Sequence, residues 1–107
     1  MNPRPRYELV YASQTTLHLM AIERKHHSLI RKTIEDELQF EPDVETNNRK
    51  PLKRPIVFEA SWELRFGPGN QFRVFYDIYR ETRKVNIVAI GIKQGSRLWI
   101  GREEITS

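Results

Sequence analysis

Two arginines flank a turn sequence in Trp62-Glu-Leu-Arg-Phe-Gly67 and Phe72-Arg-Val-Phe-Tyr-Asp77. Gly67-Pro-Gly-Asn-Gln71 between them has the composition of a tight turn. If those five residues form the loop, Phe66 pairs with Phe72 and Arg65 faces Arg73 directly. Like charges opposed on a sheet destabilise it. The pairing makes sense if an anion lies between the two, such as a phosphate gripped by guanidinium forks. A purely structural alternative pairs each arginine with a carboxylate of the same face, Glu63 or Asp77. Both readings stay open at the level of sequence.

A second concentration of cations is Arg49-Lys50-Pro51-Leu52-Lys53-Arg54. Four cations stiffened by proline would suit the phosphates of a nucleic-acid backbone, and a solvated basic loop is the plainer alternative. Leu52 is expected to anchor this loop on the core. A tight turn after the second strand brings Gly91 opposite Arg73, with Lys93 just beyond. A glycine there predicts an uncovered patch of sheet where a ligand could approach. A slip of one residue would turn Lys93 to the other face. His26 and His27 are adjacent on a helical stretch, point about 100° apart, and suit a helix junction rather than a shared metal ion. No phosphate-binding glycine loop, nucleophile elbow or paired-carboxylate pattern is present.

The elements that must position these residues follow from periodicity. Arg6 to Tyr11 alternates Tyr7, Leu9 and Tyr11 on one side, a short strand. Ala12 to Phe40 has neither Gly nor Pro, with Ser13 placed as a helix cap. Leu17, Met20, Ile30, Ile34 and Leu38 fall near helical spacing, interrupted around Arg24-Lys-His-His27. One long helix or two helices meeting near His26 are predicted, ending by Pro42. A run of acids from Glu35 to Glu45 precedes the basic connector, which Pro51 and Pro55 hold extended. The period then changes to two through Phe58, Ala60, Trp62, Leu64 and Phe66, and again through Phe72, Val74, Tyr76 and Ile78. After a charged turn at Arg80–Lys84, Val85 to Ile92 is almost continuously apolar, as for a strand buried on both faces. The predicted fold is a single α+β domain over residues 1–107, with an N-terminal strand, one or two helices and a three-strand antiparallel meander. Residues 96–107 could be helix or loop.

Composition narrows the classes. A chain of 107 residues that is 38% hydrophobic and 30% charged can fold around one modest core. It has no cysteine, so disulfides and thiolate metal sites are excluded. No apolar run reaches the length of a membrane span and no signal peptide is evident, so a cytoplasmic, cofactor-free protein is expected. Residues 1–45 carry 6 Lys/Arg against 8 Asp/Glu, and residues 46–107 carry 12 against 6. A one-sided positive field attracts polyanions.

The ordered set Pro51-Leu-Lys53, Trp62-Glu-Leu-Arg-Phe-Gly67, Phe72-Arg-Val-Phe-Tyr-Asp77 and Ile87-Val-Ala-Ile-Gly-Ile-Lys93 resembles the core of RelE/ParE superfamily toxins of type II toxin–antitoxin systems. The resemblance spans most of residues 7–93 and implies that α+β fold. It also implies metal-independent endoribonuclease activity on mRNA, often in the ribosomal A site, by attack of a 2′-hydroxyl on the neighbouring phosphorus. That reaction needs a base, cations for the transition state and an acid for the leaving oxygen. By resemblance Arg73 clamps the scissile phosphate and Arg65 supports it. Lys50 and Lys53 occupy the connector positions for basic or acid–base groups, and Lys93 and Arg97 fall near the C-terminal basic position. Arg49 and Arg54 would add backbone contacts, Trp99 could stack on a base, and Glu63 is a further candidate base. The chain departs from several relatives in having no His or Tyr after Tyr79. Other members inhibit DNA gyrase by binding it, and a non-catalytic nucleic-acid-binding module is a third reading. The resemblance implies a cognate antitoxin that covers the basic face.

Overall fold

The computed structural model describes residues 5–54 and 60–106. Pro55 and Phe58, expected in the connector and at the start of the strand alternation, lie outside them. The first strand, β1 (Glu8–Tyr11), leads into helix α1 (Thr15–Met20). A 3₁₀ turn at Arg24–His26 separates α1 from α2 (His27–Leu38), so the two-helix alternative holds and the junction falls at His26. No Gly or Pro causes the break. Glu23 is extended (φ −54°, ψ 137°), and His27 Nε2 bonds the Ile22 carbonyl oxygen at 2.8 Å.

Ser13 is not the helix cap. Gln14 holds that position without a side-chain cap bond, and its amide donates instead to the Val88 carbonyl at 3.1 Å. The short α1 buries Thr15 and His18 and leaves Leu17 and Met20 exposed at 66% and 71%. Those two apolar residues therefore do not serve the core. Helix α2 does, through Ile30, Ile34 and Leu38 at the i, i+4, i+8 spacing, all buried. Each such side chain contributes about 1.5–3 kcal/mol on leaving water.

The remaining chain forms β2 (Arg49–Pro51), β3 (Trp62–Phe66), β4 (Phe72–Tyr79), β5 (Lys84–Gln94), β6 (Arg97–Ile100) and β7 (Glu103–Ile105). Among the described residues one seven-stranded sheet runs β2-β3-β4-β5-β6-β7, with β1 also on β5. The expected meander is β3-β4-β5. Residues 96–107, open between helix and loop in the sequence, supply β6 and β7 instead. Strand β5 organises the sheet, because β4 lines one side of it. On the other side β1 pairs in parallel with Lys84–Ile87, and β6 pairs antiparallel with Gly91–Gln94.

Alternation gives the sheet two unlike faces. Leu64, Phe66, Phe72, Val74, Tyr76, Val85, Ile87 and Ile90 pack with the helices. On the opposite face Ala60, Phe75, Ala89 and Ile100 form a smaller cluster, with Leu52 and Leu98 against it. The register shifts between Phe75 and Tyr76, leaving Val88 as the extra residue on β5. A fully buried Tyr76 donates to the Pro42 carbonyl at 2.8 Å and ties the chain after α2 to the sheet.

Gly91 is buried, and the open patch expected opposite Arg73 does not exist. A Cβ at this position would stand 2.7 Å from the Trp99 carbonyl oxygen and 2.9 Å from Ile100 Cγ1. The glycine lets β6 approach β5 closely. Gly91→Ala is therefore expected to destabilise the fold by about 2 kcal/mol through overpacking against backbone. Hydrogen exchange should show the loss first in the amides of β6 and β7.

His18 adds a pH dependence. It is buried, its Nδ1 accepts from the Ile90 N–H at 3.3 Å, and burial pushes its pKa below the usual imidazole range. The unfolded chain takes up a proton near pH 6.5 that the native imidazole resists. Stability from this group is thus complete above about pH 6.5 and declines as pH falls below it. Thermal melts from pH 7.5 to 5.5 should show a smaller Tm decrease for His18→Asn than for the natural chain.

Candidate functional site

The hairpin turn positions the arginines. Gly67 (φ 81°) opens a 3₁₀ turn over Pro68–Asn70 and lies where a Cβ would collide with the Phe72 ring at 2.5 Å. The loop therefore closes with Phe66 on Phe72, and Arg65 stands opposite Arg73, as the turn length predicts. The Arg65 amide donates to the Asn48 carbonyl at 2.8 Å, and its carbonyl accepts from Asn48 Nδ2 at 2.8 Å. Its backbone polar groups thus face β2, which makes Arg65 and Arg73 a non-hydrogen-bonded cross-strand pair with closely spaced side chains.

An internal anion resolves the repulsion. Glu63, two residues before Arg65 on the same face, accepts from Arg65 Nε at 2.6 Å and from Arg73 Nη1 at 3.4 Å. Opposed like charges on a sheet cost up to about 1 kcal/mol. A hydrogen bond to a charged group contributes about 1.5–3 kcal/mol, so the shared carboxylate outweighs the repulsion. Of the two carboxylates the sequence offers, only Glu63 takes this role. Asp77 accepts from the Ser61 hydroxyl at 2.7 Å and the Ser61 amide at 2.9 Å.

The two guanidinium groups differ in access. Arg73 has a side chain 10% exposed, and its Nε donates to the Asn70 carbonyl at 2.9 Å. Arg65 has a side chain 43% exposed, and among the described residues its guanidinium is held through Nε, which leaves the Nη1/Nη2 edge for a ligand. That edge is the bidentate fork that matches a phosphate or carboxylate. Lys50 lies directly across β2–β3 from Glu63, on the same face, and its ammonium reaches Glu45 at 3.5 Å. Lys93 lies on this face too, beyond Gly91, with its amide donating to the Gln71 carbonyl at 2.7 Å. Lys53 and Arg54 are exposed just past β2. Leu52 anchors that end of the connector, donating its amide to the Ser61 carbonyl at 2.8 Å.

Three residues expected in one surface with these are elsewhere. Arg49 is 6% exposed, and its Nε and Nη1 donate to the carbonyls of Val44 at 3.0 Å and Glu37 at 2.7 Å. It also approaches the carboxylates of Glu37 at 3.7 Å and Glu41 at 3.9 Å. Arg49 is a structural cation at the C-terminal end of α2, where the helix dipole favours positive charge. Arg97 and Trp99 alternate with Leu98 and so lie on the helical face of the sheet. Trp99 lines a recess there with Met20, Ala21 and Ile92.

A cleft of about 550 Å³ between α1 and α2 is also on the helical face. It is lined by Tyr11, Leu19, Ser28, Arg31 and Glu35, and burial beside Glu35 raises the Tyr11 pKa. The arginine pair lies across the sheet from this cleft. Among the described residues no group of three or more His, Asp or Glu side chains could hold a metal ion, and no helix is long and apolar enough to cross a membrane. His26 packs its ring against Phe72 at 5.0 Å and His27 closes the helix junction.

No protein family, no curated protein and no solved structure matches the chain.

Proposed function

We propose that the chain is a RelE-like endoribonuclease, the toxin of a type II toxin–antitoxin pair, cleaving mRNA in the cytoplasm. The observation that carries this reading is the opposed Arg65 and Arg73, with the Arg65 side chain half-exposed and Lys50 on the same face of the sheet. Sequence resemblance in the same segments supports it. Cleavage forms a bond from the 2′-oxygen to phosphorus and breaks the bond from phosphorus to the 5′-oxygen. A 2′,3′-cyclic phosphate and a 5′-hydroxyl result. Arg65 meets the non-bridging oxygens, and Arg73 adds charge from beneath. Lys50 and Lys53 are the groups assigned to move protons, one from the 2′-hydroxyl and one to the leaving oxygen. Lys93 and Arg54 extend the contact along the strand. A cognate antitoxin would cover this face with acidic and apolar side chains.

Primer-extension mapping of transcripts in cells briefly expressing the protein tests the reading. New 5′ ends inside coding regions are the expected result. Growth arrest with intact transcripts would instead direct attention to DNA gyrase, through a supercoiling assay. Normal growth with intact transcripts would favour a non-catalytic nucleic-acid-binding module.

A further inference from the structure

We infer that Glu63 is the positioning residue of the anion site, an internal carboxylate that aims the Arg65 fork outward. The inference rests on the proposed function for its catalytic consequence, while its geometric part stands on the structure alone. Glu63 is 3% exposed and gives one oxygen to each guanidinium, Oε1 to Arg65 Nε and Oε2 to Arg73 Nη1. Arg65 is otherwise a long side chain on a half-exposed strand position, with the rotamer freedom of several torsions to lose on binding. Holding its Nε edge removes most of that freedom beforehand and leaves only the Nη1/Nη2 edge for an incoming phosphate. The same carboxylate keeps two like charges together before any substrate arrives. Its negative charge opposes anion binding, so it lowers affinity while improving geometry. A group buried in this way beneath the fork is not placed to take a proton from the substrate.

That trade gives a distinctive test. Glu63→Gln removes the charge and breaks the reciprocal grip, because the amide nitrogen cannot accept. The turnover number of RNA cleavage is expected to fall at least tenfold. Binding of a non-cleavable 2′-O-methyl RNA should tighten about threefold or hold constant. In step with this, the Arg65 Nε–Hε proton, read by nitrogen-15 NMR, should lose its protection from exchange while backbone shifts persist. Parallel loss of cleavage and binding with falling Tm would mark Glu63 as merely structural and overturn the inference. A rise in both would mark it as a simple charge brake and overturn it as well.

The natural chain supplies a check that needs no variant. Exchange of the Arg65 Hε proton at the rate of free arginine would show that the carboxylate does not hold the side chain. If the natural protein cleaves no RNA, the proposed function fails, yet the Hε exchange and the 2′-O-methyl RNA affinities still decide whether Glu63 positions an anion site.

Discussion

Arg65→Ala is expected to slow RNA cleavage about 100- to 1000-fold, the usual consequence of removing one preorganised donor from a developing negative charge. The fold should tolerate the change. The side chain is 43% exposed, and Glu63 keeps Arg73 as a partner after its removal. The cost is one charged hydrogen bond at a half-exposed site, about 1 kcal/mol, or roughly 4–8 °C in Tm. Arg73→Ala would confuse the two effects, because Arg73 also holds the hairpin through the Asn70 carbonyl at 2.9 Å. Single-turnover cleavage of a defined RNA, alongside thermal melts, separates chemistry from folding. Arg65→Lys sharpens the result, since an ammonium restores charge but not the two-pronged geometry. Recovery of less than about a tenth of the natural rate is expected. Full recovery by lysine would reduce Arg65 to a point charge, and unchanged cleavage by Arg65→Ala would place the chemistry elsewhere.

The features legible in the sequence were those fixed by local rules. A turn of defined length sets the register of a hairpin, so the Arg65–Arg73 opposition follows from the sequence, whereas Arg73 meets Gly91 only because Val88 bulges from β5. The apolar stretch Val85–Ile92 declared a strand with a core on each face, and β5 has one. The break at His26 was visible as a gap in helical spacing. The C-terminal hairpin was not, because β6 and β7 are only four and three residues long, too short to display a period. Gly95 and Gly101, on either side of Arg97–Ile100, were the available signal for two turns.

The charge pattern misled for a different reason. Counting put an acidic N-terminal part against a basic C-terminal part, as though the surface were divided. In three dimensions much of that asymmetry closes on itself, with Glu37 and Glu41 near Arg49, Glu45 near Lys50, and Asp43 near Arg80. Residue type cannot distinguish a cation that seeks a phosphate from one that holds a helix end. Only partners and burial can. Leu17 and Met20 show the same limit for apolar residues, since their spacing fits a core that the six-residue α1 does not reach with them.

Arg49 and its neighbours Lys53 and Arg54 should therefore respond oppositely to substitution. Arg49→Ala is expected to destabilise the fold by about 3 kcal/mol, lowering Tm by roughly 12 °C or more. Its guanidinium satisfies the Val44 and Glu37 carbonyls, and its removal takes a positive charge away from the carboxylates of Glu37 and Glu41. The connector would loosen with it, since β2 begins at Arg49 and aligns Lys50 with Glu63. A Lys53→Ala/Arg54→Ala double variant changes two exposed side chains and should leave Tm within about 2 °C of the natural value. That same pair should weaken single-stranded RNA binding and lower the slope of log affinity against log salt by about 1.4, the release expected for two phosphate contacts. Chemical melts and salt-dependent binding on the two proteins together test the division. A stable Arg49→Ala protein with a reduced salt slope would return Arg49 to the RNA surface and dissolve the distinction between the cation that builds the connector and the cations that use it.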